Sequence, residues 1–302
     1  MLGASGFIGS YLTKQLSSQA NIIGYDLVPP CNDSYEFVQG DFPTENNFEY
    51  ILKTYKIDVI FHLISTTTPM IGTSRVTQEI SENIIPTINL LESMKNTGTK
   101  RIIFTSSGGT VYGESRGHPS KCEDLLYPIC SYGVQKLAIE QYFQLYNHLY
   151  DLVCIVARIS NPYGAFLQEG RTQGIIPIFL LNLLSGKPIT LYGETVRDYI
   201  HISDVINVLI SLGFYKGKQR VFNVATGVPT RLDSLVHTLE NIAKKEFVAV
   251  NRHGIRACDV YENVLNINDT IRELNWKPII SLEDGISMTL KEIVKSKRWE
   301  NK

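Results

Sequence analysis

Four short runs rich in β-branched residues constrain this chain most: Asn21–Leu27 (NIIGYDL), Val59–Ile64 (VIFHLI), Arg101–Ser106 (RIIFTS) and Leu152–Ile159 (LVCIVARI). None shows the strict apolar–polar alternation of a sheet with one wet face, so each reads as a strand buried on both sides. Helical patterns stand between them at Ile8–Leu16, Asn83–Met94 and Tyr132–Tyr150. Strand alternating with helix specifies an α/β fold with a doubly wound parallel sheet. Ligands of such sheets bind beyond the carboxyl ends of the strands.

After Asn161-Pro162-Tyr163-Gly164 the rhythm changes: loops lengthen, and short elements such as Val221–Val224 interrupt helices such as Leu232–Ala243. With 302 residues there is room for two lobes. Residues 1–162 are expected to form a nucleotide-binding lobe and residues 163–302 mainly a smaller α/β lobe, with some segments returning to the first.

Gly3-Ala4-Ser5-Gly6-Phe7-Ile8-Gly9 is a GxxGxxG turn opening a helix. Its backbone N–H groups suit a pyrophosphate at a helix N-terminus. Asp26 closes the next strand, roughly 20 residues on, where a carboxylate accepts hydrogen bonds from an adenosine ribose and repels a 2′-phosphate. The pair favours NAD over NADP. Taken singly, the glycines also fit a turn without a ligand, and Asp26 an ordinary strand-end acid. Only Met1 and Leu2 precede the glycines, whereas a central strand needs about five residues. The first strand is therefore expected to be truncated.

Tyr132-Gly133-Val134-Gln135-Lys136 places a phenol and an ammonium four apart on one helix face. A nearby ammonium favours phenolate, bringing the phenol toward useful basicity. An amphipathic helix with Tyr buried and Lys in water gives the same spacing. Upstream, Ser106-Ser107-Gly108-Gly109-Thr110-Val111-Tyr112-Gly113 follows a strand and offers hydroxyls at its carboxyl end.

In this order, glycine turn, acidic strand end, Ser/Gly turn and YxxxK, the chain resembles the extended short-chain dehydrogenase/reductase superfamily. Within it, the chain is similar to the nucleotide-sugar epimerase/dehydratase family, in its UDP-glucose 4-epimerase branch. Phe61-His62-Leu63, Glu82-Asn83, Asn161-Pro162-Tyr163-Gly164, Val196-Arg197-Asp198-Tyr199-Ile200-His201 and Val221-Phe222-Asn223-Val224 extend the likeness over nearly the whole chain. The resemblance implies a Rossmann-type sheet, bound NAD and a UDP-sugar substrate epimerised through a 4-keto intermediate, in carbohydrate metabolism or polysaccharide biosynthesis.

By the same resemblance Gly3, Gly6, Phe7, Ile8 and Gly9 would wrap the pyrophosphate, and Asp26 would meet the adenosine ribose. Asp41 would meet the adenine amino group, and Leu63 and Asn83 would lie along the cofactor. Tyr132 would be the base and Lys136 would hold the nicotinamide ribose. Asn161 would bind the nucleotide sugar, Arg197 and Arg256 its diphosphate, Asp259 the uridine side, and Asn263 the neighbourhood of the sugar C2 substituent. A small Asn at that place leaves room for an N-acetyl group, to whose carbonyl its amide can donate.

One departure stands out. Relatives carry Ser or Thr where this chain has Gly108, which leaves Ser107 and Thr110 as the nearest hydroxyls for the catalytic proton. Sugar dehydratases have Thr-Asp-Glu where this chain has Gly108-Gly109-Thr110, so dehydration is disfavoured. A 4-keto-sugar reductase consuming NAD(P)H, an epimerase acting at another carbon, and a non-catalytic NAD-binding protein remain as alternatives.

Composition narrows the partners. Lys+Arg is 29 against Asp+Glu 30, so no basic excess points to nucleic acid or an anionic membrane. The longest apolar run, Ile175–Leu184, is too short to span a bilayer, and no signal segment is evident at the start. Five cysteines (31, 122, 130, 154 and 258), an odd number without CxxC, fit a reducing cytoplasm. Six His residues without HExxH give no metal site, and His62 and His201 read as structural. A homodimer is expected through the helices Asn83–Met94 and Tyr132–Tyr150. Their apolar residues Ile84, Ile88, Leu91, Leu137, Phe143 and Leu145 occupy more than one face.

Overall fold

The computed structural model describes residues 1–30, 35–69, 74–165 and 174–296. Cys31 lies outside them.

The main sheet is wholly parallel. Its strands run side by side in the order Glu36–Gln39, Ile23–Asp26, Leu2, Val59–His62, Arg101–Ser107, Val153–Ile159 and Val221–Val224. The central place is held by Met1 and Leu2 alone. Tyr25 N–H donates to Met1 O (2.8 Å), Leu2 N–H to Phe61 O (2.9 Å) and Leu63 N–H to Leu2 O (3.0 Å). Two residues thus join the halves of the sheet, and strand order reverses on either side of them. The crevice at this reversal opens between the Gly3–Gly9 turn and the loop after His62.

Both faces of the sheet are covered, which is why its strands lack alternation. Along Val153–Ile159, Cys154 and Val156 pack with Leu91, Met94, Ile139 and Phe143 on one side. Ile155, Ala157 and Ile159 pack with Leu12, Val205, Leu209 and Phe222 on the other. The first face carries the helices Phe48–Tyr55, Ile85–Thr97 and Ser131–Tyr150, and the second carries Phe7–Leu16 and Ile202–Phe214. Gly98 (φ +80°) and Asp151 (φ 52°) end two of these helices in the left-handed conformation that releases the chain into the next strand.

The helix over Ile85–Thr97 begins earlier than its apolar pattern suggests. Val76–Glu79 is α-helical and Ile80–Ile84 is a π turn. Pro86, whose nitrogen cannot donate, follows at the start of the regular helix, so the ladder is re-phased there. The π turn aims Asn83 inward, where it is buried.

A third core, around Ile176, Phe179, Leu180, Leu232, Leu235, Leu239, Ile286 and Ile293, lies in the later part of the chain. The run Ile175–Leu184 is a helix with six of its residues buried in this core region, which explains its near-continuous apolarity. Beside it, Val196–His201 pairs with Asn161–Tyr163, Pro229–Arg231 and Glu262–Asn263. Val221–Val224 returns to the first sheet against Val153–Ile159.

Of the helix residues expected at a subunit interface, Leu91 and Phe143 are buried in the chain's own core. Ile85, Val134, Tyr142, Leu145 and Leu149 are the exposed ones. At 100° per residue, Val134, Tyr142, Leu145 and Leu149 fall within an arc of about 80°. No helix among the described residues is long and apolar enough to cross a membrane.

Candidate active site

The glycine turn is shaped by contacts that only glycine permits. Gly3 sits at φ +83° and donates its N–H to Tyr25 O at 2.9 Å. A Cβ on Gly9 would lie 2.0 Å from Gly3 O and 2.8 Å from Ala4 O. Gly6 is the N-cap of Phe7–Leu16 and provides no side-chain cap, and the first helical turn has no acid. The leading N–H groups of this ten-residue helix therefore face the crevice with the positive end of its dipole. Phe7 is buried against the second face while Ile8 is half-buried.

Asp26 ends its strand across from this turn. Its carboxylate accepts Ser5 N–H (3.0 Å) and Val28 N–H (3.3 Å), fixing it at the rim of the glycine loop. Asp41 is exposed and precedes the short turn Phe42–Thr44, with Thr44 Oγ1 donating to its Oδ2 at 3.1 Å. Leu63 follows the strand Val59–His62 and is half-buried. Asn83 is already engaged: Thr66 N–H donates to its Oδ1 (3.0 Å) and its Nδ2 donates to Thr66 Oγ1 (2.7 Å). It thereby anchors the loop beside the crevice.

Tyr132 and Lys136 share the inward face of Ser131–Tyr150. Lys136 is buried, its Nζ donating to Thr105 O at 3.0 Å and lying 4.5 Å from the Phe104 ring centroid and 5.5 Å from that of Tyr132. Burial pulls its pKa down to about 7, against the opposing pull of the Glu140 carboxylate. Burial pushes the Tyr132 phenol up to about 12, opposed by a hydrogen bond with Ser65. The two titrating groups are thus drawn toward each other from opposite ends of the scale.

Glu140, one further turn along, is fully buried with Arg158. Arg158 Nη2 donates to its Oε2 at 2.7 Å and Nε at 3.1 Å, while Ser106 Oγ donates to Oε1. Arg158 Nη1 also donates to Tyr112 Oη (2.8 Å), which donates to Asn223 Oδ1 (2.6 Å). Sequence reasoning did not single out this network. The extension of YxxxK by an acid four residues on was the available signal.

Gly108 continues the sheet, its N–H donating to Ile159 O at 2.8 Å. A Cβ there would sit 2.4 Å from Leu265 Cδ1 and 3.1 Å from Arg158 O, so the packing leaves no place for a hydroxyl side chain. Gly109 and Thr110 lie between the start of the Tyr132 helix and the second lobe. A Cβ on Gly133 would be 2.8 Å from Thr110 O, and one on Gly109 would be 3.8 Å from Ser107 Oγ and 4.0 Å from Asn263 Oδ1. Asn263 Nδ2 donates to Gly108 O at 2.9 Å, tying the two lobes together. Its amide donor is thus used within the protein, and its buried Oδ1 is the group left unpartnered. Thr110 Oγ1 and Ser160 Oγ are likewise buried without a hydrogen-bond partner among the described residues. Buried orphans of this kind are rare unless a ligand or water completes them.

The strand Val196–His201 gathers the remaining candidates. Asn161 pairs with Tyr199 and donates its Nδ2 to Asp198 O at 2.9 Å, and Asn263 pairs with Arg197. Arg197 donates to Val196 O (2.9 Å), Tyr261 O (3.1 Å) and Val260 O (2.6 Å), so part of its guanidinium fastens the loop. Burial holds its pKa below the usual arginine value, with nearby Arg256 adding to the effect. Arg256 Nε donates to Asp259 Oδ2 at 2.6 Å, and its guanidinium lies 4.7 Å from the Tyr192 ring centroid. The two arginines come together, but each is already held by protein oxygens. Among the described residues no cluster of three or more His, Cys, Asp or Glu could hold a metal. Cys122, Cys130, Cys154 and Cys258 are free thiols.

His62 and His201 have structural places. His62 Nε2 shares a hydrogen bond with Thr87 Oγ1 at 2.9 Å, and burial drops its pKa to about 3. His201 Nδ1 accepts Ser203 N–H at 3.3 Å at a helix start.

Known proteins share this arrangement. A dTDP-4-dehydro-6-deoxyglucose reductase of Escherichia coli is 30% identical, with 96% of each chain covered. A UDP-glucose 4-epimerase of Mycolicibacterium smegmatis is 29% identical over 95% of this chain and 96% of its own. The crystal structure of the Thermotoga maritima UDP-glucose 4-epimerase with UDP-glucose superposes with a TM-score of 0.92, at 28% identity and 98% coverage of both chains. The family profile itself matches residues 1–225, the span holding the glycine turn, Asp26, Tyr132 and Lys136. With its parallel sheet and YxxxK pair so placed, this chain belongs to the NAD dependent epimerase/dehydratase family, and NAD is its cofactor.

Proposed function

We propose that this protein is a UDP-sugar 4-epimerase that keeps NAD bound through the cycle. The observation that carries the reading is the placement of Tyr132 and Lys136 opposite the buried, unpartnered acceptors at Thr110, Ser160 and Asn263. A sugar presents hydroxyls to such a pocket. The likeness to a UDP-glucose 4-epimerase over nearly the whole chain supports it.

The residues present fit NAD. Gly3, Gly6, Phe7, Ile8 and Gly9 present a bare helix N-terminus to the pyrophosphate. Asp26, held by Ser5 and Val28, takes the adenosine ribose and repels a 2′-phosphate. Asp41 takes the adenine, while Leu63 and the Asn83-anchored loop border the rest. Bound NAD supplies hydride removal from the sugar C4 and its return to the opposite face.

Tyr132 removes the proton of the sugar 4-hydroxyl and later restores it. Lys136 stands beneath the Tyr132 ring, favours phenolate and reaches the nicotinamide ribose. Thr110 Oγ1, with Ser107 beside it, receives the sugar oxygen. Asn161, Arg197 and Arg256 hold the diphosphate end, and Asp259 the uridine end. Firm anchoring there leaves the hexose free to turn over between the two hydride transfers. Asn263 Oδ1 accepts from the C2 substituent, whether hydroxyl or acetamido N–H, so UDP-glucose and UDP-N-acetylglucosamine are both substrates. Residues 1–162 act mainly on the cofactor and 163–302 mainly on the nucleotide sugar. The exposed stripe Val134, Tyr142, Leu145 and Leu149, with Ile85 nearby, pairs two copies into a homodimer.

Incubation with NAD and UDP-glucose or UDP-N-acetylglucosamine, without reductant, should yield the 4-epimers on sugar analysis. A second reading, a 4-keto-sugar reductase, is favoured by the reductase relative of E. coli. It predicts instead no epimer and one NADH consumed for each 4-keto nucleotide sugar supplied.

A further inference from the structure

The Tyr132 phenol has a partner outside its motif: it is hydrogen-bonded with Ser65. Ser65 stands three residues beyond the strand Val59–His62, exposed in the crevice where the strand order reverses. Its loop is fixed from two directions. Asn83 grips Thr66 through its backbone N–H and its hydroxyl. Thr67 Oγ1 donates to Glu79 Oε1 (2.8 Å) and accepts from Gln135 Nε2 (2.9 Å), and Ser131 Oγ donates to the other oxygen of Glu79. Gln135 and Ser131 flank Tyr132 on its own helix. The Ser65 loop and the Tyr132 turn are thus bound into one polar unit, while position 108 offers no hydroxyl and no space for one.

We propose that Ser65 is the positioning hydroxyl of Tyr132, supplied from the end of a different strand than the Ser/Gly turn. The inference rests on Tyr132 being the base. With the phenol neutral, its O–H donates to Ser65 Oγ, and Ser65 O–H donates to Thr67 O at 3.0 Å. After the phenol has lost its proton, rotation about the Ser65 Cβ–Oγ bond turns that O–H from the Thr67 carbonyl onto the phenolate. No covalent O–H bond of Ser65 breaks, and the phenolate gains a charge-assisted hydrogen bond. The charged neighbours set the need for it. Glu79 and Cys130 both disfavour phenolate, and the favourable Lys136 ammonium is shared with Thr105 O.

The test is the pH profile of kcat for UDP-glucose epimerisation at saturating NAD, in the wild type, Ser65→Ala, Ser65→Thr and Tyr132→Phe. Ser65→Ala should move the acid limb up by about one pH unit, a loss of roughly 10-fold at a fixed pH on that limb, with KM little changed. Ser65→Thr, which keeps the hydroxyl, should restore the limb. An unmoved limb in Ser65→Ala, or an equal loss at every pH, overturns the role of Ser65 while an inactive Tyr132→Phe leaves the base assignment standing. Full turnover by Tyr132→Phe overturns both. NAD affinity and thermal unfolding of Ser65→Ala check its fold, and Ser65→Gly replaces it if either differs from wild type.

Discussion

Gly9 packs against Gly3 so closely that a Cβ at position 9 would lie 2.0 Å from the Gly3 carbonyl oxygen. Both partners are backbone, one in a helix and one in a turn at φ +83°, so neither can yield alone. Gly9→Ala should therefore destabilise the protein by about 3 kcal/mol and abolish NAD binding. Denaturant titration and calorimetric NAD binding measure the two effects separately. Unchanged NAD affinity would separate the glycine turn from the cofactor.

Tyr132→Phe removes the phenolic oxygen and nothing that packs the helix. It should bind NAD as the wild type does and lose at least about 100-fold in epimerase turnover, the scale of a lost general base. Steady-state rates with UDP-glucose, alongside NAD binding, check this.

Lys136 gives stability a definite pH dependence. Its folded-state pKa, near 7, lies below the ordinary 10.5 because burial disfavours the ammonium. Between those values the unfolded chain holds the proton and the folded one does not, so stability rises with pH. The slope from this group is at most about 1.4 kcal/mol per pH unit. Below pH 7 both states are protonated and the contribution is flat. Lys136→Met should remove this rise, visible as a smaller gain in unfolding free energy from pH 7.5 to 9.5.

Glu140 and Arg158 form a buried pair beneath Lys136, with Ser106 and Tyr112 satisfying their remaining groups. Glu140→Ala strands the guanidinium in the core and should cost about 3–5 kcal/mol. Replacing both, as Glu140→Met with Arg158→Leu, should cost less than Glu140→Ala alone. Chemical denaturation of the single and double variants tests that ordering.

The apolar stripe on Ser131–Tyr150 makes a separate prediction. Sedimentation at micromolar concentration should show a dimer, and Leu145→Glu with Leu149→Lys should yield a folded monomer. A monomeric wild type would leave the stripe without the partner proposed for it.

Periodicity and glycine spacing made the sheet, its helices and the glycine turn legible in the sequence. Runs such as Val153–Ile159 are apolar on both sides because two helical layers cover them, and that demand is written residue by residue. The i, i+4 placement of Tyr132 and Lys136 follows from helix geometry alone. By contrast, the strand Glu36–Gln39 and the π turn before Pro86 were missed. The first is half-polar at the sheet edge, and the second arises where a proline interrupts a helical ladder.

What the tertiary structure decided is which polar groups are already spent. The sequence shows Asn263 with a donor and an acceptor, but only the packed lobes show its donor committed to Gly108, 155 residues away. It shows Arg197 and Arg256 as cations, but not that backbone carbonyls and Asp259 hold them. It shows Gly108 without a hydroxyl, but not Leu265 filling the space or Ser65 meeting the phenol. Local patterns encode burial, because each residue's face is set by its own helix or strand. Hydrogen-bond partners across 60 to 160 residues depend on how loops close over the sheet, and that is set by the packing of the whole chain.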